Sequence, residues 1–307
     1  MDPLMLPLLI LSSAFATGIR FDEVPCPFGT GNTRKYEKVS ANTFGGYDSD
    51  LATYSTRGQF RTHAVSTCPD NYYSALASRL DRPIPSDKHA QIQSAIDASR
   101  STWIDRDEPT VWERYDTAAR IAIALNDGPL DIAELYLNAS WTARDEAVGV
   151  YVGGLDGPIA ARKILDLGQI ELQKDLVDSS KSILLYNLAR VAHRGGFIAE
   201  RDAHVRAFLA MPTISEAERK AGQKLKHLSQ VVEPKYQDLA MSFLEAGVKQ
   251  AGDPLRLARA QYQLADLARR QGKLEQARDG FTKITADSAA PEQLQSLSKF
   301  LLQEITN

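Results

Sequence analysis

Several kinds of residue and motif are scarce or missing from this chain, and each absence excludes something. Among 307 residues there is no excess of basic side chains: 36 Lys and Arg stand against 39 Asp and Glu, a formal charge of -3. That balance argues against a nucleic-acid binder or a protein that adheres to anionic membrane. No run of basic residues interleaved with aromatics restores the idea. Beyond the first residues, no apolar stretch is long enough to span a bilayer. The five histidines, His63, His89, His193, His204 and His227, include no pair at metal-binding helical spacing and no HExxH. There is no G-x-S-x-G, and Gly29-Thr30-Gly31-Asn32 lacks the lysine and the strand–helix setting of a phosphate loop. Only two cysteines occur, Cys26 and Cys68, each followed by proline. Each looks like half of a metal-binding knuckle whose second thiol is missing. On these residues alone a metal site, the remnant of one and a disulfide all stay open.

What is present begins with an apolar block, Leu4 to Leu11, followed by Ala14-Phe15-Ala16. The block and the small-x-small triplet read as an export signal over residues 1–16, although Asp2 stands where a positive charge is usual. The expectation is therefore an exported protein, periplasmic or extracellular. The alternative is a cytoplasmic chain whose start is misassigned.

Residues 17–87 are rich in Gly, Ser, Thr, Asp, Asn and Tyr and show no helical period. Lys35–Phe44 and Phe60–Cys68 alternate like short strands, with Gly45 and Gly46 supplying a turn between them. This predicts a small loop-rich domain, ended by the prolines of Asp81–Asp87. Residues 88–307 read almost entirely as amphipathic helix, about eleven in all with short connections. Pro129, Pro158 and Pro254 sit in first turns, where a missing N–H costs little. Ser215 with Glu218 is a capping box, and Asp253 is an N-cap.

Leu264, Ala265, Gly272, Ala277 and Phe281 resemble a tetratricopeptide repeat, with Ala268 and Ala289 departing from its pattern. Leu188, Ala189 and Gly196 repeat the theme, and Gly128, Ala133 and Leu137 do so more faintly. The predicted fold is mainly α, a right-handed stack of antiparallel helical hairpins behind a small domain with a few short strands. Such a row would leave a curved flank free to bind a peptide or another protein.

Asn42–Leu51, flanked by Cys26-Pro27 and Cys68-Pro69, together with Ile132–Ala147, resembles a bacterial family known only as domain of unknown function 2225. The likeness runs roughly from residue 24 to residue 149. Its members carry Cys-Pro-x-Cys twice, a four-thiolate set suited to zinc. Here Gly29 and Asn71 occupy the second cysteine positions. The resemblance implies an architecture but no reaction. It also implies that Cys26 and Cys68 lie side by side, so that in an oxidising compartment a disulfide replaces the metal. Zinc held by the two thiols with His63 and Asp70 is the competing expectation, and two buried thiols the third.

Asp48 and Asp50, one residue apart in Tyr47-Asp48-Ser49-Asp50, are candidates for a divalent cation, with His63 as a third group. The plainer reading has them bonded to backbone N–H groups of the glycine turn. His193 beside Arg194 suits a helix C-terminus, and the charged stretch Arg256–Arg270 reads as a solvated face. No catalytic residue and no cofactor is predicted. The leading expectation is a non-enzymatic interaction scaffold with a protein or peptide partner. The alternative is a metal-binding protein or metal-dependent enzyme centred on the N-terminal domain.

Overall fold

The computed structural model describes residues 18–56, 58–149 and 155–306. The expected export signal, residues 1–16, lies outside them. The chain is mainly α, with a few short strands at its N-terminal end, as the sequence predicts. Strands β1 (Gly18–Pro25) and β2 (Asn32–Ser40) form an antiparallel hairpin, with Val24 opposite Thr33. Strands β4 (Val65–Thr67) and β5 (Ser74–Leu76) form a second. The first predicted strand is β2, whereas Phe60–Cys68 holds a helical turn (Phe60–Thr62) before β4.

The turns of the two hairpins meet. A disulfide joins Cys26 to Cys68, their Cα atoms 6.0 Å apart. Beside it, the Asn71 side chain donates to the Phe28 carbonyl, and Thr30 donates to Asp70 at 3.0 Å. Gly29 and Asn71 thus face each other next to the disulfide. This region has no core of its own. Cys26, Cys68, Tyr73, Ala75 and Leu80 pack with Ile92, Ile96 and Ile121 of the helices that follow.

After the short α1 (Ala77–Leu80) come α2 (His89–Arg100), α3 (Val111–Ala124), α4 (Pro129–Val148), α5 (Gly157–Leu172), α6 (Asp178–Gly195), α7 (Ile198–Ala210) and α8 (Glu216–His227). A π-helical turn, Leu228–Val232, leads into α9 (Glu233–Val248), then α10 (Pro254–Arg270), α11 (Leu274–Ala286) and α12 (Glu292–Thr306). Local chemistry sets their ends. Ser215 and Glu218 form a capping box before α8, Asp253 caps α10 through the Leu255 N–H, and Thr110 with Glu113 caps α3. Gly196, at φ +74°, ends α6 in the left-handed conformation that glycine adopts at least cost.

Successive helices pack on one another, as in α3–α4, α6–α7 and α10–α11. The row does not stay open, however. The most extensive helix contact is between α4 and α9, which are far apart in sequence. At the other end, Phe300 of α12 packs into the cluster of Leu155, Ala161 and Leu165, and Arg162 of α5 reaches Glu304 at 3.4 Å. The helices therefore curl into a circuit. Helix α4 lies inside it, with thirteen of its twenty residues buried, the charged Arg144 and Asp145 among them.

Candidate functional site

The middle of this circuit is filled by the chain's own loop. Two-residue strand β3 (Gly46–Tyr47) pairs in parallel with β6 (Leu155–Asp156), which anchors the loop's entry. Gly46 has φ +80°, and a Cβ there would lie 1.9 Å from the Leu155 carbonyl oxygen, so only glycine fits. A tight turn follows, closed by Leu51 N–H to Asp48 O at 3.0 Å and Asp48 N–H to Ala52 O at 2.8 Å. It carries Asp48, Ser49 and Asp50 into the interior, where none has any solvent exposure.

Arginines from three helices receive them. Arg144 of α4 uses all five of its N–H groups. Nη1 donates to Asp48 (2.8 Å) and Asp50 (3.0 Å), Nη2 to Asp50 (2.6 Å) and Glu233 (2.5 Å), and Nε to Glu233 (3.0 Å). Arg194 of α6 donates to Asp48 at 2.6 Å and lies over the Tyr54 ring. Tyr54 also donates to Asp48, and Trp141 to Asp50. Arg269 and Arg270 of α10 share Asp266 and the Ser49 hydroxyl. They also donate to the last carbonyls of α6, those of His193, Arg194, Gly195 and Gly196, where the helix dipole favours cations.

Four guanidinium groups thus meet four carboxylates, Asp48, Asp50, Glu233 and Asp266, away from water. Burial alone would raise the Asp50 carboxyl, but Arg144 and Arg270 outweigh it and hold the group far below the usual range. Burial would likewise raise Glu233, yet Arg144 and then His193 bring it down to about 2.

This arrangement corrects two expectations. Asp48 and Asp50 do come together, but arginine rather than a glycine-turn backbone takes most of their oxygens; one bond of the expected kind remains, Ala52 N–H to Asp50 at 3.4 Å. The stretch Arg256–Arg270 is not a solvated face throughout, because Asp266, Arg269 and Arg270 are buried. The structure does not gather His63 with the two aspartates into one ligand set. His63 rests against Tyr36, ring centres 5.3 Å apart, and burial followed by Arg114 lowers its pKa. Among the described residues, no group of three or more His, Cys, Asp or Glu side chains is placed to hold a metal ion.

Sequence reasoning singles out neither Arg144 nor Glu233, and Arg194 only as a neighbour of His193 at a helix end, although a signal for Arg144 existed. Leu137, Trp141, Arg144 and Val148 follow one another at helical spacing, so Arg144 sits on an apolar stripe. An arginine in that position is buried and needs a carboxylate partner.

Beside the charged centre opens a cleft of about 820 Å³, between the α6–α7 turn, the start of α9 and the α10–α11 turn. His193 and Glu233 are both buried and line it. Their Nε2 and Oε2 atoms stand 2.8 Å apart, so the two side chains hold each other. Burial, more than the opposing pull of Glu233, lowers the His193 pKa, so its imidazole is neutral near pH 7. The π-helical turn contributes Ser229 and Gln230 to the wall; such turns interrupt helices frequently at functional sites. A second cavity, of about 910 Å³, lies between the N-terminal strands and α3–α4.

Comparison of the chain with protein-family models, with curated proteins and with solved structures finds no match. The geometry alone therefore carries the functional reading.

Proposed function

We propose that this chain is an exported, non-enzymatic interaction scaffold, whose helices are locked by the loop Gly45–Ala52 so that its outer surface is presented in one shape to a protein partner. The observation that carries this reading is on α5. Ile159, Ile164, Leu167 and Ile170 are 52, 37, 59 and 58% exposed. At 3.6 residues per turn they share an arc of about 140°. Val177 and Ile183, just beyond, are also exposed. Lys163 and Glu171 enter the same arc, so the four α5 residues form an apolar patch interspersed with charge, and an exposed apolar patch among polar residues marks a site of protein association. The centre supports the non-enzymatic reading, since Asp48, Asp50 and Arg144 are spent on one another without solvent contact. The Cys26–Cys68 bond supports export, because disulfides persist in oxidising compartments. Among the described residues no helix is long and apolar enough to cross a membrane.

The test is site-specific photo-crosslinking in the native cell, with the probe at Leu167 or Ile170 on α5 and at Gln93 on α2 as control. One discrete adduct from the α5 positions and none from Gln93 is expected. No adduct, or equal adducts from both helices, would overturn the reading. N-terminal sequencing tests export, and an intact Met1 on cytosolic protein would refute it.

A further inference from the structure

Strand β1 (Gly18–Pro25) has a partner on one edge only. It pairs antiparallel with β2, and among the described residues no strand lies along its other edge. Ladder bonds in an antiparallel pair fall on alternate residues. The Cys26 N–H donates to the Gly31 carbonyl at 3.0 Å, which sets their phase: Val24, Asp22 and Arg20 bond toward β2. The main-chain N–H and C=O groups of Ile19, Phe21 and Glu23 therefore point outward. Pro25 falls on the same outward side, where its missing N–H costs no ladder bond. From Ile19 to Glu23 every residue is exposed. An open edge of this length is a template for another strand.

The side chains say which strand fits. On one face Arg20 lies opposite Glu37, to which it donates at 2.5 Å, and Asp22 lies opposite Lys35. On the other face Phe21 lies against Tyr36, ring centres 5.8 Å apart, while Ile19 is opposite Lys38 and Glu23 opposite Arg34. A second copy of β1, antiparallel along the open edge about a two-fold axis through Phe21, completes both patterns. The outward groups of Ile19, Phe21 and Glu23 then meet those of Glu23, Phe21 and Ile19, giving about six main-chain hydrogen bonds. Arg20 of each copy falls opposite Asp22 of the other. Across the joined sheet one face reads Glu37, Arg20, Asp22, Lys35, with the charge alternating at every step. The other reads Tyr36, Phe21, Phe21, Tyr36, beside rows of Lys38, Ile19, Glu23 and Arg34. A slip of one residue sets bonding groups against non-bonding ones. A slip of two sets Arg20 against Arg20 or Asp22 against Asp22, and like charges directly opposite are destabilising. We propose that β1 joins two copies of this chain into a symmetric dimer, by edge-to-edge strand pairing centred on Phe21. The interface is separate from the α5 patch and does not depend on it.

The experiment is sedimentation velocity of the full chain over a concentration series, with amide hydrogen exchange at its two ends. A reversible monomer–dimer equilibrium is expected, and the amides of Ile19, Phe21 and Glu23 should gain protection only at the dimer end. Arg20→Asp and Asp22→Arg should each weaken the dimer roughly tenfold or more, because each sets like charges opposite one another at two symmetric positions. Both positions are exposed, so the unfolding midpoint should hardly move. Mixed in equal amounts, the two variants should associate with each other, since one then carries acids and the other arginines at both positions. That recovery separates a broken interface from a damaged hairpin. Leu167→Glu on α5 should dimerise like the native chain, so failure of this interface and failure of the α5 reading are told apart. A chain that stays monomeric throughout, a dimer that protects none of the three amides, or single variants that dimerise as well as the native chain would overturn the proposal. So would a mixture that fails to associate, or a dimer lost in Leu167→Glu and kept in Arg20→Asp.

Discussion

Replacing Arg144 with Met keeps an unbranched apolar stem, loses the guanidinium, and removes five hydrogen bonds to three buried carboxylates. The three do not suffer equally. Asp48 keeps Arg194 at 2.6 Å and the Tyr54 hydroxyl at 2.8 Å. Asp50 keeps Trp141 at 2.9 Å, with Arg270 no nearer than 3.9 Å. Glu233 keeps Gln237 at 2.7 Å and His193 at 2.8 Å. Two charges therefore lose their main partner where almost none of their surface is open to solvent. Breaking a buried ion pair from one side costs about 3–5 kcal/mol. At roughly 2–4 °C per kcal/mol for a chain of this size, the melting temperature should fall on the order of 10 °C. The assay is urea unfolding followed by far-UV circular dichroism, with Asp50→Asn and the double variant completing a cycle. The double variant should be less destabilised than the sum of the singles, by about 1–3 kcal/mol. Because the groups are shielded from solvent, the loss should be the same in low and high salt, unlike that of a surface pair. A loss below about 1 kcal/mol, strict additivity, or strong salt dependence would refute the claim that the loop locks the helices through Arg144.

Reduction of the Cys26–Cys68 bond, which spans 42 residues, should cost about 4 kcal/mol on the chain-entropy account; thiol titration of the unfolded, unreduced chain should find no free thiol, and two per chain would contradict the pairing. Stability should fall with pH in two stages. Burial depresses the His193 pKa below its ordinary 6.5, so the unfolded chain takes up a proton that the folded one refuses, and stability drops as pH falls through about 6.5. Glu233, held near 2 against an ordinary 4.5, contributes stability above pH 4.5 that disappears as pH falls toward 2. Urea midpoints at several pH values check both stages; His193→Gln should abolish the first and reduce the second, since His193 also helps hold Glu233 down. Gly46→Ala should destabilise by more than roughly 2 kcal/mol, because its Cβ meets the Leu155 carbonyl; Gly58→Ala, with φ +93° but open space around it, should show only the backbone strain of about 1–2 kcal/mol. Equal losses in a thermal melt would show that the close approach at Gly46 is unimportant.

Much of the helical framework can be read from the chain because its signals are local. The capping box at Ser215 and Glu218, the cap at Asp253 and the turn glycines Gly196 and Gly272 act within a few residues of themselves. The apolar stripes likewise identify which faces are buried, and Ala265, Ala277 and Phe281 are indeed interior. A stripe does not name the helix that covers it. Nothing in Pro129–Val148 says that its neighbour is Glu233–Val248 rather than the next hairpin. For the same reason Asp48 and Asp50 look like turn residues or metal ligands until the helices close around them.

By itself, the amino-acid order determined that the chain is mainly helical behind a short stranded region and where most helices begin and end, since propensity, capping and turn chemistry are short-range. Only the tertiary structure decided that the row closes on itself, and that an Asp-Ser-Asp turn becomes its centre. Asp48 meets Arg194 across 146 residues, and Ser49 meets Arg270 across 221. Such pairings depend on where whole helices come to rest, and a buried charge takes whichever opposite charge that arrangement brings within hydrogen-bond reach.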